Sequence, residues 1–176
     1  MTADVTSYYP YLVTPDYPDV LSTPAAPQRV IGHGLSVGLV VSSGEPGAEV
    51  LRPVTANELA AARVDLPTAY RHADANLSGV LSAGELQLQV FEGPTVICAG
   101  HWLAAAVLVV TGLYERLTGL LGAQIVAAVP HRDVIFVTGA ADAPRLAATA
   151  EEEFRSAAKP LTPHLFTLGE LGPTPF

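Results

Sequence analysis

The stretch Gln124-Ile-Val-Ala-Ala-Val-Pro-His-Arg-Asp-Val-Ile-Phe-Val137 holds two short apolar runs separated by a polar turn. Residues 124–129 and 134–137 have the length and composition of strands, whereas residues 130–133 carry a turn signal. The stretch therefore predicts two consecutive strands joined by a tight turn, which is the connection of an antiparallel pair.

A second pair of strands is predicted upstream of this stretch. Residues 35–41 and 49–54 are apolar runs, and residues 42–47 between them contain glycine, proline and serine. Apolar runs on either side of such a segment are typical of a β-hairpin. We therefore predict a hairpin over residues 35–54.

Capping signals predict two helices directly after this hairpin. Thr55 and Glu58 have the spacing of a capping box, so a helix is expected to begin there and to run through residue 62. Pro67 fits the start of a helix better than its middle. A second short helix is therefore predicted over residues 68–73.

The remaining predicted elements mix strands and helices. Residues 86–91 alternate apolar and polar side chains, and residues 95–99 form a buried apolar run, so both are predicted to be strands. Residues 111–121 and 142–159 place apolar side chains at helical spacing, so both are predicted to be helices. Periodicity leaves two possibilities for residues 102–110, a strand or a buried helix.

This mixed order predicts an α+β fold with a largely antiparallel sheet and helices packed on it. The predicted order is strand-strand-helix-helix, followed by strands, a helix, two strands and a last helix, in a single domain over residues 30–176. Residues 1–29 hold five prolines and four of the six tyrosines. Proline at this density disfavours helices and central strands. We expect an extended Pro/Tyr-rich arm that lies along the domain or along a neighbouring subunit.

The composition limits the classes of partner. Hydrophobic residues make up 49% of the 176 residues and charged residues 15%, which favours a well-filled core and a self-associating face. The formal charge is -8 and Lys159 is the single lysine, so we expect no binding to nucleic acid or to a membrane surface. No secretory signal and no apolar run of membrane-spanning length is recognised, which predicts a cytoplasmic location.

The spacing of cysteine and histidine predicts no cofactor and no zinc site. Cys98 is the single cysteine and lies in an apolar run, so it is predicted to be a buried thiol and not a reactive nucleophile. The five histidines are scattered, and none has a second ligand at zinc-site spacing.

Residues 74–85 match the pattern of a calcium-binding loop, with a glycine at the sixth position and a glutamate at the twelfth. The ligands would be Asp74, Asn76, Ser78, Val80, Ser82 and Glu85. Such a site also needs a helix after the glutamate, where a strand is predicted. The preferred interpretation is the end of a helix followed by a polar turn, and a weak calcium site is the alternative.

Several segments spread along the chain carry family motifs. They are Val50-Leu-Arg-Pro-Val-Thr-Ala-Asn-Glu-Leu59, Ala73-Asp-Ala-Asn-Leu77, Ala127-Ala-Val-Pro-His-Arg-Asp133 and Lys159-Pro-Leu-Thr-Pro-His-Leu-Phe166. Over residues 30–168 the chain resembles the YtpQ-like family of uncharacterised bacterial proteins. The resemblance implies a strand, two helices and a closing Ala-x-x-Asn-Leu, in which Asn76 would end the second helix. The family has no established activity, so no reaction is implied.

The turn at residues 130–133 carries the candidate binding residues. His131, Arg132 and Asp133 place three functional side chains on a tight turn, and loops often carry binding sites. An arginine and an aspartate can bind a carboxylate or phosphate, and a neighbouring histidine can move protons near neutral pH. Asn76 is a fourth candidate. The structural interpretation, which we favour, is that Asp133 caps the turn while Arg132 pairs with another subunit or with the turn at Asn76.

Together these features predict a non-enzymatic cytoplasmic module that self-associates or binds a protein partner. The apolar composition and the tyrosine-rich arm support this prediction, and no convergent catalytic set is seen. One alternative is an enzyme or small-anion binder that uses the 130–133 turn. A second alternative is a weak calcium binder that uses residues 74–85.

Overall fold

The computed structural model describes residues 4–15 and 26–176. These residues form ten strands and four α-helices. In chain order they are β1 Tyr8–Val13, β2 Arg29–Gly32, β3 Leu35–Ser43, β4 Val50–Pro53, α1 Ala56–Ala62, α2 Leu66–Ala83, β5 Gln89–Phe91, β6 Thr95–Ala99, α3 Leu113–Leu121, β7 Ile125–Ala128, β8 Val134–Gly139, α4 Ala143–Ser156, β9 Leu165–Gly169 and β10 Gly172–Pro175. Short 3-10 helices lie at Val5–Ser7, Ala105–Val109 and Ala140–Asp142.

The larger sheet has six strands in the order β10-β9-β7-β8-β6-β5, and every neighbouring pair is antiparallel. The predicted pair of strands around the 130–133 turn lies at its centre, where Ile125 pairs with Gly139 and Ala128 with Phe136. Antiparallel neighbours need only a short connection. The strand prediction from residues 124–137 is therefore confirmed.

The smaller sheet is organised around β3. Strand β1 pairs with one side of β3, and β2 and β4 pair with the other side, all antiparallel. The register of β3 with β4 places Val41 opposite Arg52. The predicted hairpin over residues 35–54 is therefore confirmed.

One hydrophobic core joins the two sheets. It contains Leu12 and Val37 from the smaller sheet together with Val96, Ile135 and Val137 from the larger one. The opposite face of the larger sheet packs against α4, which buries Leu146 and Ala150 there. The alternation of side chains along each strand thus separates a core face from a face beside α4.

The fold class is α+β with antiparallel sheets, as the sequence predicts. The capping box that opens α1 is present, with Thr55 and Glu58 bonded to each other in both directions. Helix α3 ends at Gly122, as expected from the end of its apolar periodicity. No helix in the described ranges is both long and apolar enough to cross a membrane.

Part of the predicted N-terminal arm is a strand of the smaller sheet. Tyr8–Val13 pairs with β3 over its whole length, and Tyr8 and Leu12 are buried. Proline disfavours helices and central strands, and β1 is neither, because it is an edge strand of the smaller sheet. Pro10 is tolerated because β1 pairs with β3 alone among the described residues and so lies at an edge of the sheet, where a missing N–H is acceptable. Residues 1–3 and 16–25 of the predicted arm lie outside the described residues.

Helix α2 is much longer than predicted and includes most of the calcium-like segment. It extends to Ala83, and Gly84 closes it with a left-handed backbone at φ 77°. The buried residues Ala69, Ala73 and Leu77 recur every four positions, which continues one apolar face through the segment. The predictions of a turn there, and of Asn76 as the end of the helix, are therefore wrong.

Three further differences concern the boundaries and number of elements. Strand β5 covers residues 89–91 instead of the predicted 86–91. Residues 102–110, for which the sequence allows either a strand or a buried helix, contain turns and a 3-10 helix at Ala105–Val109. Strands β2, β9 and β10 were not predicted, and β9 and β10 lie beyond the last predicted helix.

Candidate functional site

The 130–133 turn is fastened by backbone hydrogen bonds to the segment that follows α4. The N–H of Arg132 donates to the carbonyl of Lys159 at 3.3 Å, and the N–H of Leu161 donates to the carbonyl of Pro130 at 2.8 Å. His131 forms a β-bridge with Pro160. These contacts fix the position of the turn relative to residues 159–161.

The side chain of Arg132 is buried against β1 and is only 3% exposed. Its Nη1 donates a hydrogen bond to the carbonyl of Leu12. Its guanidinium carbon lies 4.5 Å from the ring centroid of Tyr11, a cation–π contact. The guanidinium group of Arg132 therefore connects the turn to β1.

The predicted binding residues of the turn do not converge. His131 Nε2 lies 3.6 Å from Glu153 Oε2 on α4, whereas Arg132 contacts β1. The N–H of Asp133 donates to His131 Nδ1 at 3.3 Å. None of the three residues lines any of the four main clefts formed by the described residues. The geometry gives a small-anion site at this turn little support.

Asn76 and Asp74 are used in contacts with two different elements. Asn76 Nδ2 donates to the carbonyl of Tyr8 at 2.8 Å. Asp74 Oδ1 accepts from the N–H of Thr111 at 2.8 Å. Because successive residues of a helix are rotated by about 100°, oxygens at alternate positions of α2 do not surround one ion. Within residues 4–15 and 26–176, no cluster of three histidine, cysteine or acidic side chains could hold a metal ion.

Cys98 is a buried thiol on β6, as the sequence predicts. Burial raises the pKa of this thiol to about 11, so the neutral form dominates at neutral pH. A thiolate is the reactive form of cysteine. The environment of Cys98 therefore disfavours a nucleophilic role.

The most distinctive exposed feature is the free edge of the larger sheet at β5, which sequence analysis did not identify. Within residues 4–15 and 26–176, strand β5 pairs only with β6. Val90 and Phe91 are 59% and 49% exposed. At the other edge, Pro175 of β10 packs against Gly32 of β2. The β5 edge is therefore open, whereas the β10 edge has a neighbour.

The two faces of β5 differ. Val90 pairs with Val96, which pairs with Val137, so three valines form a row on the core face. Phe91 lies on the face beside α4, where a cleft of about 280 Å³ is lined partly by Phe91, Ile97 and Phe136. Arg145 Nη2 on α4 donates to the carbonyl of Gly93 at 3.2 Å, which holds the turn between β5 and β6. The open edge is therefore apolar on both faces and attached to the helix layer.

Residues 86–91 lack the charged side chains and proline that often protect a sheet edge, and β5 itself is three residues long. The segment Leu86-Gln-Leu-Gln-Val-Phe91 contains no charged residue and no proline. Edge strands of monomeric proteins are commonly protected by lysine, proline, a bulge or a covering element. The local sequence could have suggested this surface, because an uncharged alternating strand is visible in it, but its edge position depends on the whole sheet.

Comparison of the chain with protein-family models, curated proteins and solved structures finds no match. The resemblance to the YtpQ-like family therefore stays a prediction.

Proposed function

We propose that the protein is a non-enzymatic interaction module that self-associates through the edge strand β5. The observation that carries the proposal is the exposed, uncharged β5 edge with Val90 and Phe91 on it. An unpaired strand offers a row of backbone donors and acceptors to another strand. The cytoplasmic location stays a prediction from the sequence.

A second copy of the chain fits this edge by an antiparallel two-fold pairing centred on Val90. In that arrangement Val90 lies opposite Val90 of the second copy, so the buried row of Val137 and Val96 continues across the interface. β-branched pairs directly opposite each other stabilise antiparallel strands. A two-fold pairing also closes the assembly as a dimer, since each edge is used once.

The charges near the edge are compatible with this pairing. With Val90 at the centre, Glu92 of one copy lies opposite Leu88 of the other, so no two carboxylates face each other. The net charge of -8 on each copy opposes association at long range, but exposed charges are screened beyond about 10 Å at 0.1 M salt. We therefore expect a dimer that strengthens as salt is added.

Sedimentation velocity over a wide range of protein concentration tests the proposal. The wild-type chain is expected to pass from monomer to dimer as concentration rises. Val90→Lys places two ammonium groups opposite each other at the two-fold axis, and the dimer dissociation constant is expected to rise at least about tenfold. Val50→Lys is the matched control, because Val50 is 65% exposed on β4 of the other sheet.

Two results would contradict this function. The first is a wild-type chain that stays monomeric at every concentration. The second is a Val90→Lys chain that dimerises as tightly as Val50→Lys. In the second case the chain associates through another surface and β5 is not the interface.

A further inference from the structure

A second surface of the protein is a cleft of about 510 Å³ between the smaller sheet, the start of α2 and the 3-10 helix Ala105–Val109. Small-molecule sites in proteins commonly have volumes of roughly 300–1,000 Å³. Apolar atoms of Val37, Leu66, Tyr70 and Val109 line the cleft. It therefore has the size and the apolar lining of a ligand site.

Two polar groups of the lining are already used in the fold. The hydroxyl of Tyr70 donates to the carbonyl of Val37 at 2.7 Å, so its ring forms a fixed wall. Burial raises the pKa of Tyr70, which keeps this hydroxyl protonated as a donor. The carboxylate of Asp74 accepts from the N–H of Thr111 at 2.8 Å. These contacts stabilise the cleft itself.

Arg29 and Arg71 also line the cleft. The guanidinium carbon of Arg29 lies 5.2 Å from the ring centroid of Tyr70. Arg71 Nη2 donates to the hydroxyl of Thr68 at 2.8 Å. Both guanidinium groups are therefore oriented by neutral partners at the cleft.

Arg29 and Arg71 share one cleft. Like the exposed Arg63 and Arg116, they have no ion pair with a carboxylate among the described residues. Arg52, Arg145 and Arg155 each lie within ion-pair distance of a carboxylate. Neither Arg29 nor Arg71 has a carboxylate within 4.0 Å among the described residues. The carboxylate of Asp74 also lines the cleft, but it accepts a hydrogen bond from Thr111 and lies beyond 4.0 Å from both guanidinium groups. The cleft therefore carries two guanidinium groups and one carboxylate.

We propose that this cleft binds a small amphipathic anion, with an apolar or aromatic body and one carboxylate or equivalent acidic group. Arg29 and Arg71 hold the anionic group, because guanidinium donors match the geometry of an oxyanion. The ring of Tyr70 and the side chains of Leu66 and Val109 pack against the apolar body. The site is separate from the β5 edge and does not depend on self-association.

Two fluorescent probes test this proposal directly. The anionic probe 8-anilinonaphthalene-1-sulfonate carries an aromatic body and a sulfonate, and N-phenyl-1-naphthylamine has a similar body without the charge. The anionic probe is expected to bind the wild-type chain, and dodecanoate is expected to displace it. Arg29→Gln and Arg71→Gln are each expected to weaken binding of the anionic probe about tenfold. Neither is expected to change binding of the neutral probe.

Two control variants separate the cleft from other surfaces. Arg155→Gln removes the same charge from α4, and Val90→Lys changes the exposed apolar edge, so both should bind the anionic probe as the wild type does. Circular dichroism confirms that each variant is folded. The proposal is overturned if the anionic probe does not bind, if dodecanoate fails to displace it, or if neither Arg29→Gln nor Arg71→Gln weakens its binding more than Arg155→Gln does.

Discussion

The side-chain amide of Asn76, in the middle of α2, donates a hydrogen bond to the backbone carbonyl of Tyr8 in β1 at 2.8 Å. Tyr8 lies at the beginning of β1, and the two residues are 68 positions apart. The contact is partly buried, so water replaces it poorly when it is lost. Asn76 is therefore a residue that connects a helix to the N-terminal strand.

Replacing Asn76 by alanine is expected to lower the free energy of unfolding by about 1–2 kcal/mol, because the carbonyl of Tyr8 loses its donor. Urea unfolding followed by circular dichroism measures this change. Asn57→Ala is the matched control, since Asn57 is an exposed asparagine on helix α1. Equal losses in both variants would mean that the contact with Tyr8 adds nothing to stability.

Calcium is expected to leave the melting temperature unchanged. Residues 74–83 are helical, and Asp74 already accepts a hydrogen bond from Thr111. A ligand that binds only the folded state must raise the melting temperature. Thermal melts in millimolar calcium and in EDTA, with Glu85→Gln as the comparison, measure this directly. A calcium-dependent rise that disappears in Glu85→Gln would require the end of α2 to open into a loop.

Replacing Arg132 by methionine is expected to cost about 2 kcal/mol or more of stability. The change removes a charge-assisted hydrogen bond to the carbonyl of Leu12 and the cation–π contact with Tyr11. Arg155→Met provides the control, because Arg155 is exposed and exposed ion pairs contribute little. Urea unfolding of the two variants gives the comparison, and a loss in Arg132→Met no larger than in Arg155→Met would show that the turn does not depend on this side chain.

Local signals in the sequence predict the parts of the fold that local interactions determine. The capping box of Thr55 and Glu58 is a contact between residues three positions apart, and it is present in the structure. The hairpin of β7 and β8 is also predicted from neighbouring residues. A short turn can join two antiparallel strands, whereas parallel strands need a long connection. These elements are predicted well for that reason.

Contacts between distant residues explain the errors. Strand β1 is stabilised by pairing with β3, which lies more than 20 positions away, and proline content gives no sign of this. The calcium template in α2 fails because Ala69, Ala73 and Leu77 pack against other elements as one helical face. Arg132 lies on a turn that looks exposed, but its partner Leu12 is 120 positions away. A short motif therefore gives no information about the distant elements against which its residues pack.

The capping box makes the stability of the fold depend on pH through the carboxyl group of Glu58. Burial raises the pKa of Glu58, but hydrogen bonds from Thr55 and the charge of Arg52 outweigh it and lower the pKa below the ordinary value of 4.5. The backbone N–H and the hydroxyl of Thr55 donate to Glu58 Oε2 at 2.9 and 3.0 Å. A carboxyl whose pKa is lower in the folded state stabilises the fold above its unfolded pKa. That contribution is lost as the pH falls through the folded pKa.

Glu58→Gln is therefore expected to be about 1 kcal/mol less stable than the wild type at neutral pH, a typical value for a capping interaction. The difference should shrink as the pH is lowered below 4.5, because the wild-type carboxyl then becomes protonated as well. Urea unfolding at a series of pH values measures the difference. Glu152→Gln, at an exposed position of α4, should show a small difference that hardly changes with pH. A pH-independent difference for Glu58→Gln would mean that the helix start does not depend on the charge of this carboxylate.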